Sequence, residues 1–184
     1  MKPFRRVEPT VVQKVGHRSV VTKHFVMPDG STYDFQTFNA EGTEFAGVVA
    51  LTPDRQVITA YQYRPGPEAF MYEIPGGGTD DGDDGDMAVT ATRELREETG
   101  YKPGTLTYLG KVYKDAYNNA TWHYFLAEDC VLDGEQELDA TEAVEVRLVP
   151  IDRFLDYARN GQMTDTEAVL LAYDRLMALG SVRV

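Results

Sequence analysis

Apolar and polar positions alternate in short segments along the first half of the chain. Segments rich in β-branched and aromatic residues lie at Val11–Val12, Ser19–Val26 and Tyr33–Phe38, which predicts three strands. Phe45–Leu51 is a continuous apolar run that predicts a buried strand, and Val57–Arg64 follows a turn as its hairpin partner. Further strands are predicted at residues 71–74, 105–113, 121–127 and 143–149.

Three later segments have the pattern of helices. The segment Asp86–Thr99 contains no Gly or Pro and places Ala91 and Leu95 on one apolar stripe. Helices are also predicted from 150 to about 159 and from about 164 to 179. The order of strands, helix, strands and helices predicts an α+β fold with a mixed sheet flanked by helices.

The first 45 residues differ from the rest because they contain strands and no helical pattern. We expect an N-terminal antiparallel β-rich extension at residues 1–45 and the main domain at 46–184. Three short strands make a poor core alone, so the extension is expected to pack on the main domain or on a second copy.

Composition excludes several classes of protein. The chain has 184 residues, of which 42% are hydrophobic and 26% charged, as in globular proteins. Its net charge of −12 disfavours partners such as nucleic acid or an anionic membrane. The single Cys130 forms no internal disulfide, and the longest apolar run, Phe45–Leu51, is too short to span a bilayer. We expect a soluble, cytoplasmic protein.

The helix predicted at 86–99 carries three carboxylates on one arc. Glu94, Glu97 and Glu98 lie within about 100° near its C-terminus, where the helix dipole disfavours negative charge. A solvated face with an Arg93–Glu97 pair is one interpretation. A hard divalent cation with oxygen ligands is the other, because it would offset the repulsion directly.

These residues resemble the second half of the Nudix signature, Gly-x5-Glu-x7-Arg-Glu-apolar-x-Glu-Glu-x-Gly-apolar. The chain carries Arg93-Glu94-Leu95-x-Glu97-Glu98-x-Gly100-Tyr101, and the preceding Glu73–Gly77 resembles the ADP-ribose pyrophosphatase branch of that family. The resemblance covers roughly residues 46–180. It implies an α/β/α sandwich and a Nudix pyrophosphohydrolase.

The front half of the motif departs from the family pattern. If Gly77 is the motif glycine, Asp83 stands where the family has Glu, and nine residues instead of seven separate it from Arg93. A two-residue insertion in the loop accounts for this spacing. Asp83, Asp86 or neither of them fills the role of the missing Glu.

The resemblance also implies a set of site residues. Mg²⁺, or Mn²⁺ in its place, is expected on Glu94, Glu97 and Glu98 with the Gly76 carbonyl, and Glu97 is also counted as catalytic. In this branch the base lies on a loop before a late strand. We choose Glu142 first because Glu145 falls inside a predicted strand, and Asp139 is the reserve.

The same resemblance implies the substrate class and places Arg64 near a terminal ribose or phosphate, whereas Tyr117 and Trp122 are candidates because aromatic rings can stack on a nucleobase. The expected substrate is a small nucleoside diphosphate derivative, most simply ADP-ribose or another ADP-sugar, with a nucleoside monophosphate and a sugar phosphate as products. Another nucleoside diphosphate sugar, a dinucleotide, or a catalytically retired nucleotide-binding protein are the alternatives. The N-terminal extension resembles one in the same branch of the family, and this resemblance implies a homodimer. The candidate substrate-binding residues are Arg64, Glu73, Tyr117 and Trp122.

Overall fold

The computed structural model describes residues 1–16, 18–140 and 142–180. The chain divides into two compact units. The first comprises Met1–Glu44 with Tyr113–Thr121, and the second comprises Phe45–Val112 with Trp122–Val184.

The first unit is built on a three-stranded antiparallel sheet, as predicted for the N-terminal segment. The segment 113–121 joins it through the backbone, because Phe38 N donates to Tyr117 O at 2.7 Å and Asn119 N donates to Phe38 O at 2.9 Å. The strands are β1 (Arg5–Val15), β2 (Arg18–Val26) and β3 (Thr32–Phe38).

The second unit contains a seven-stranded mixed sheet. Its strands are β4 (Glu44–Leu51), β5 (Gln56–Arg64), β6 (Ala69–Glu73), β7 (Gly76–Gly78), β9 (Thr105–Val112), β10 (Thr121–Glu128) and β12 (Glu145–Pro150). Five of them follow the order β12-β5-β4-β10-β9, while β6 pairs with β5 and β7 with β4. A separate two-stranded pair consists of β8 (Tyr101–Lys102) and β11 (Val131–Leu132).

Helices cover both faces of this sheet, which confirms the predicted α+β sandwich. Alternate residues of β4 face opposite layers, as the two-residue period of a strand requires. Val48 and Ala50 belong to one buried cluster with Leu95, and Val49 belongs to a second with Phe154. The helices are α1 (Met87–Thr99), α2 (Ile151–Arg159) and α3 (Thr166–Gly180).

Helix α1 is capped at both ends. Asp86 is the N-cap, and its Oδ1 accepts a hydrogen bond from Ala88 N at 2.8 Å. Gly100 ends the helix in the left-handed conformation at φ 76°, where a side chain would be strained. Cys130 packs in the cluster beside α1 with 1% of its surface exposed, and burial raises the pKa of its thiol to about 11.

The glycine run after Pro75 forms a strand, although the strand predicted from the sequence ends at residue 74. Gly76–Gly78 form β7, which pairs with β4 through Gly47↔Gly76. A Cβ at Gly76 would lie 2.4 Å from the carbonyl oxygen of Ala46. Glycine is therefore required by close backbone approach, and its low strand propensity hides the strand from sequence patterns.

Among the described residues, no helix combines the length and apolar character that crossing a membrane would require.

Candidate active site

Two carboxylates of α1 lie directly against β7. Glu98 is buried at 7% exposure, and its Oε2 accepts a hydrogen bond from Gly76 N at 2.9 Å. A Cβ at Gly77 would lie 2.4 Å from Glu94 Oε1, so the carboxylate fills the space that a side chain there would need. The glycines of β7 thus permit the contact between strand and carboxylates.

Burial perturbs both of these carboxylates. It raises the pKa of Glu98 to about 8, opposed by the hydrogen bond from Gly76 and reinforced by the charges of Glu94 and Glu142. Burial likewise raises the pKa of Glu94 to about 7, opposed mainly by the charge of Arg93. A nearby cation would favour the ionised form of each group.

Arg93 is the hub of the surrounding ion pairs. Its Nη1 donates to Glu94 Oε1 at 3.0 Å and to Glu97 Oε2 at 2.7 Å. Its Nη2 donates to Gly78 O at 2.6 Å and to Asp83 Oδ2 at 3.0 Å. The guanidinium therefore connects α1 to β7 and to the loop that precedes the helix.

The structure answers the question about the front of the motif. Asp83, with 2% of its side chain exposed, binds Arg93 and accepts a hydrogen bond from Thr90 Oγ1 at 2.9 Å. Hydrogen bonds from Arg93, first, and from the Asp80 backbone lower the pKa of Asp83 to about 2. Asp86 instead caps α1. Asp83 thus supplies the carboxylate that pairs with the motif arginine.

The chain takes up the two-residue insertion in a compact turn. A 3₁₀ turn spans Asp81–Asp83, and Asp84 and Gly85 follow at φ 49° and φ 75°. Asp and Gly are residue types that adopt this left-handed region most readily. The turn brings the chain back so that Asp83 faces Arg93 although the spacing differs from the family pattern.

The residues of α1 fit a divalent metal ion by their chemistry. Carboxylate oxygens are hard ligands that suit Mg²⁺, and a cation would offset the cost of keeping the half-buried Glu94 and the buried Glu98 ionised. Within the described ranges, no three acidic, His or Cys side chains converge as a metal site. Arg93 binds Glu94 through Oε1 and Glu97 through Oε2, so each of these two ion pairs uses one oxygen of the carboxylate.

The two candidate bases lie on one turn of the loop before β12. Glu142 N donates to Asp139 O at 2.9 Å, and Asp139 N donates to Glu142 Oε2 at 3.0 Å. The charge of Glu142 makes a smaller contribution than burial to the raised pKa of both Glu94 and Glu98. The intervening Thr141 lies outside the described residues.

Arg64 and Glu73 form one unit between β5 and β6. Arg64 Nε donates to Glu73 Oε1 at 2.6 Å, and its Nη2 pairs with the other carboxylate oxygen. Gln62 Nε2 donates to Glu73 Oε2 at 3.1 Å, a contact that no sequence signal indicated. Glu73 is buried while about half of the Arg64 side chain is exposed, so Glu73 orients Arg64.

The two candidate aromatic residues lie in different units. Trp122 stacks on Phe45 with ring centroids 4.8 Å apart in the second unit. Tyr117 is exposed in the first unit and stacks on Phe35 at 5.4 Å. Phe35 also lines a cavity of about 410 Å³ within that unit. Sequence patterns gave no indication of this cavity, whose polar lining residues include Lys23, Asn118 and Asn119.

A carboxylate-bearing helix packed against a glycine strand of an α/β/α sandwich defines a hydrolase domain of the Nudix type. A family model described as NUDIX domain matches residues 44–168, which is more than half of the chain. The chain belongs to this family and is a Nudix pyrophosphohydrolase. Enzymes of this family act on nucleoside diphosphate derivatives and generally use divalent metal ions.

Individual relatives are similar over most of the chain. The CMP-5′-(N-acetyl-N-hydroxy-3-aminopropyl)phosphonate hydrolase of Streptomyces rubellomurinus is 31% identical over 85% of this chain and 74% of its own length. The ADP-ribose pyrophosphatase of Bacillus subtilis is 34% identical over 65% of each protein. A crystal structure of an ADP compounds hydrolase shares the fold, with a TM-score of 0.81, 20% identity, and coverage of 99% of this chain and 98% of that one.

Proposed function

We propose that this enzyme hydrolyses the diphosphate bond of ADP-ribose or another ADP-sugar with Mg²⁺, giving AMP and a sugar phosphate. The main support is one observation: the carboxylates of Glu98, which is buried, and Glu94, which is half-buried, lie against the glycines of β7. The similarity to the Bacillus subtilis ADP-ribose pyrophosphatase favours an ADP-linked substrate.

Glu94, Glu97 and Glu98 would hold the Mg²⁺ together with the Gly76 carbonyl, and Mn²⁺ would serve in its place. The ion, when bound, neutralises phosphate oxygens and lowers the pKa of water. Such neutralisation matters here because a protein of net charge −12 repels a diphosphate. Glu97 is the most exposed of the three and is the carboxylate that we assign both ligand and catalytic roles.

The remaining roles belong to the chain's own side chains. Glu142 accepts the proton of the attacking water, with Asp139 as the reserve base. Arg64, held in orientation by Glu73, binds the terminal phosphate or ribose. For stacking on the nucleobase we assign Trp122 in the second unit, and Tyr117 in the first unit is a separate alternative. In this proposal residues 1–45 serve dimerisation and substrate binding in a cytoplasmic homodimer.

A CMP-linked phosphonate is the second candidate substrate. The relative from Streptomyces rubellomurinus is similar over 85% of this chain, a larger share than the Bacillus subtilis enzyme covers. Both candidates require hydrolysis of a P–O bond in the bridge between two phosphorus atoms, and the same carboxylate site would serve both. The two substrates differ only in the nucleoside and in the leaving group.

A substrate panel tests the proposal directly. The protein is incubated with ADP-ribose, ADP-glucose, GDP-mannose, NADH and a CMP-linked phosphonate, with and without Mg²⁺, and released nucleoside monophosphate is measured by chromatography. We expect AMP from ADP-ribose or ADP-glucose only when a divalent ion is present. Release of CMP alone would favour the second candidate, and tight binding without turnover would contradict a catalytic role.

A further inference from the structure

We propose that Gln136 is a positioning residue, whose side-chain amide ties the loop that carries Glu142 to the helix that carries Glu97 and Glu98. This inference rests on the proposed role of Glu142 as the base. It concerns a contact outside the Nudix motif, and no sequence pattern pointed to it.

The loop after β11 caps the C-terminal end of α1. The last carbonyls of a helix have no partner within the helix and need one elsewhere. Glu137 N donates to Glu97 O at 2.8 Å, and Gln136 Nε2 donates to Glu98 O at 2.6 Å. The backbone of two proposed metal ligands is thus bonded directly to the loop that contains the proposed base.

The same amide nitrogen reaches the far end of the loop. Gln136 Nε2 also donates to Val144 O at 3.2 Å, two residues beyond Glu142 and next to the start of β12. The carbonyls of Glu98 and Val144 therefore accept hydrogen bonds from the same side-chain amide. The two hydrogen bonds hold Gln136 and Val144 next to the end of α1, and Glu142 lies between these two residues in the sequence.

Arg96 forms a second set of contacts with the same loop. Its Nη1 donates to Glu135 O at 2.7 Å, and its Nη2 donates to Glu137 Oε1 at 3.1 Å. A Cβ at Gly134 would lie 2.5 Å from Arg96 Nη2, so the guanidinium packs closely on the loop backbone. Arg93 binds the carboxylates of α1, whereas Arg96 binds the loop.

These contacts matter because a general base must be placed accurately. Glu142 is exposed, and its carboxylate accepts a hydrogen bond from the neighbouring Asp139 backbone, a contact within the loop itself. The distance from Glu142 to α1 is therefore governed by how the loop is fixed to α1. A displacement of about 1 Å at a reacting group can cost on the order of a hundredfold in rate.

The variant Gln136→Met tests this role because it keeps the length of the side chain and removes the donor. We expect kcat for ADP-ribose, or for the nucleotide that the substrate panel identifies, to fall roughly 10- to 100-fold. The KM and the rise in Tm on adding Mg²⁺ should stay at wild-type values. Gln162→Met, at an exposed glutamine before α3, is the matched control and should keep the wild-type kcat.

A double-mutant cycle separates positioning from a general structural effect. If Gln136 acts through Glu142, then Gln136→Met should change kcat less than about twofold in a Glu142→Gln background. An equal loss in both backgrounds, or a wild-type kcat for Gln136→Met alone, would overturn the inference. Should Gln136→Met fail to fold, Arg96→Gln provides the same cycle with the same expectation.

The results for these variants also separate the positioning role of Gln136 from the proposed role of Glu142, on which it rests. A wild-type kcat for Glu142→Gln alone would overturn the assignment of the base, and the positioning role with it. Loss of activity in Glu142→Gln, together with an additive effect of Gln136→Met, would overturn the positioning role and leave the proposed base intact.

Discussion

Asp83 and Arg93 form a largely buried ion pair, in which Arg93 Nη2 donates to Asp83 Oδ2 at 3.0 Å. The pair connects the loop before α1 to the helix whose carboxylates form the candidate metal site. Asp83 has a shorter side chain than Glu, and the chain continues from it towards α1 through two residues in the left-handed conformation, Asp84 and Gly85.

Replacing Asp83 by Asn should lower the free energy of unfolding by about 2 to 3 kcal/mol at pH 7, because a buried pair loses one partner while Arg93 keeps some exposure. Urea unfolding measures this change. The adjacent and exposed Asp84→Asn should be within about 0.5 kcal/mol of wild type. An equal loss in both variants would contradict the importance of the ion pair.

The stability difference between wild type and Asp83→Asn should depend on pH in the acid range. The pKa of Asp83 is lowered to about 2 in the folded protein, so its stabilisation is complete above about pH 4 and is lost as the pH falls towards 2. The stability gap between wild type and Asp83→Asn should therefore shrink over this interval. A stability difference that stays constant from pH 5 to pH 2 would rule out the ionised Asp83 carboxylate as its cause.

Gly77→Ala should reduce kcat/KM by roughly tenfold or more, because the new Cβ would displace the Glu94 carboxylate. The rise in Tm with Mg²⁺ should shrink in parallel. Gly78→Ala is the matched control, since its Cβ would meet the Phe45 ring at an ordinary 3.6 Å. Normal activity in Gly77→Ala would show that the position of Glu94 is unimportant.

Glu98→Gln should lower kcat by roughly a hundredfold or more while the protein remains folded. The amide cannot supply the charge that an ion needs, so the rise in Tm with Mg²⁺ should also fall. Glu135→Gln, at an exposed position, should leave both quantities unchanged. A near-normal rate in Glu98→Gln would exclude it as a ligand.

Glu142→Gln should lower kcat by roughly 10²- to 10⁴-fold without changing the rise in Tm caused by Mg²⁺. Asp139→Asn, on the same turn, is the natural comparison and should stay within a few-fold of wild type. If the large defect appeared in Asp139→Asn instead, the base would be Asp139.

Arg64→Lys should raise KM by roughly tenfold with little change in kcat, because lysine keeps the charge but cannot form the bidentate pair with Glu73. Steady-state kinetics on the preferred substrate give both constants. Arg175→Lys, in a surface pair with Glu128, should leave them unchanged. An unaltered KM in Arg64→Lys would remove Arg64 from the binding site.

The sequence was sufficient to predict the fold class and α1, since both depend on local patterns. The apolar stripe with Ala91 and Leu95 and the absence of Gly and Pro from Asp86 to Thr99 are local features of one short segment. Likewise, the register of Glu94, Glu97 and Glu98 follows directly from helical geometry.

Other features depend on contacts between distant residues and leave no local pattern. Strand β7 exists because β4 accepts three glycines beside it, although glycine disfavours strands. The role proposed for Gln136 depends on its hydrogen bond to the carbonyl of Glu98, a residue distant in the sequence. The spacing alone left open whether Asp83, Asp86 or neither fills the role of the missing Glu. The course of the inserted turn decides this, because it brings Asp83 to Arg93 and leaves Asp86 as the N-cap of α1.

The buried state of Cys130 has a practical consequence for following motion in solution. With 1% exposure and a pKa raised by burial to about 11, the native thiol should react slowly with maleimides at neutral pH. A dye on a cysteine introduced at Glu135 would then be the dominant label. Its fluorescence could report whether the segment beside the proposed base shifts when nucleotide binds, without first replacing the native cysteine.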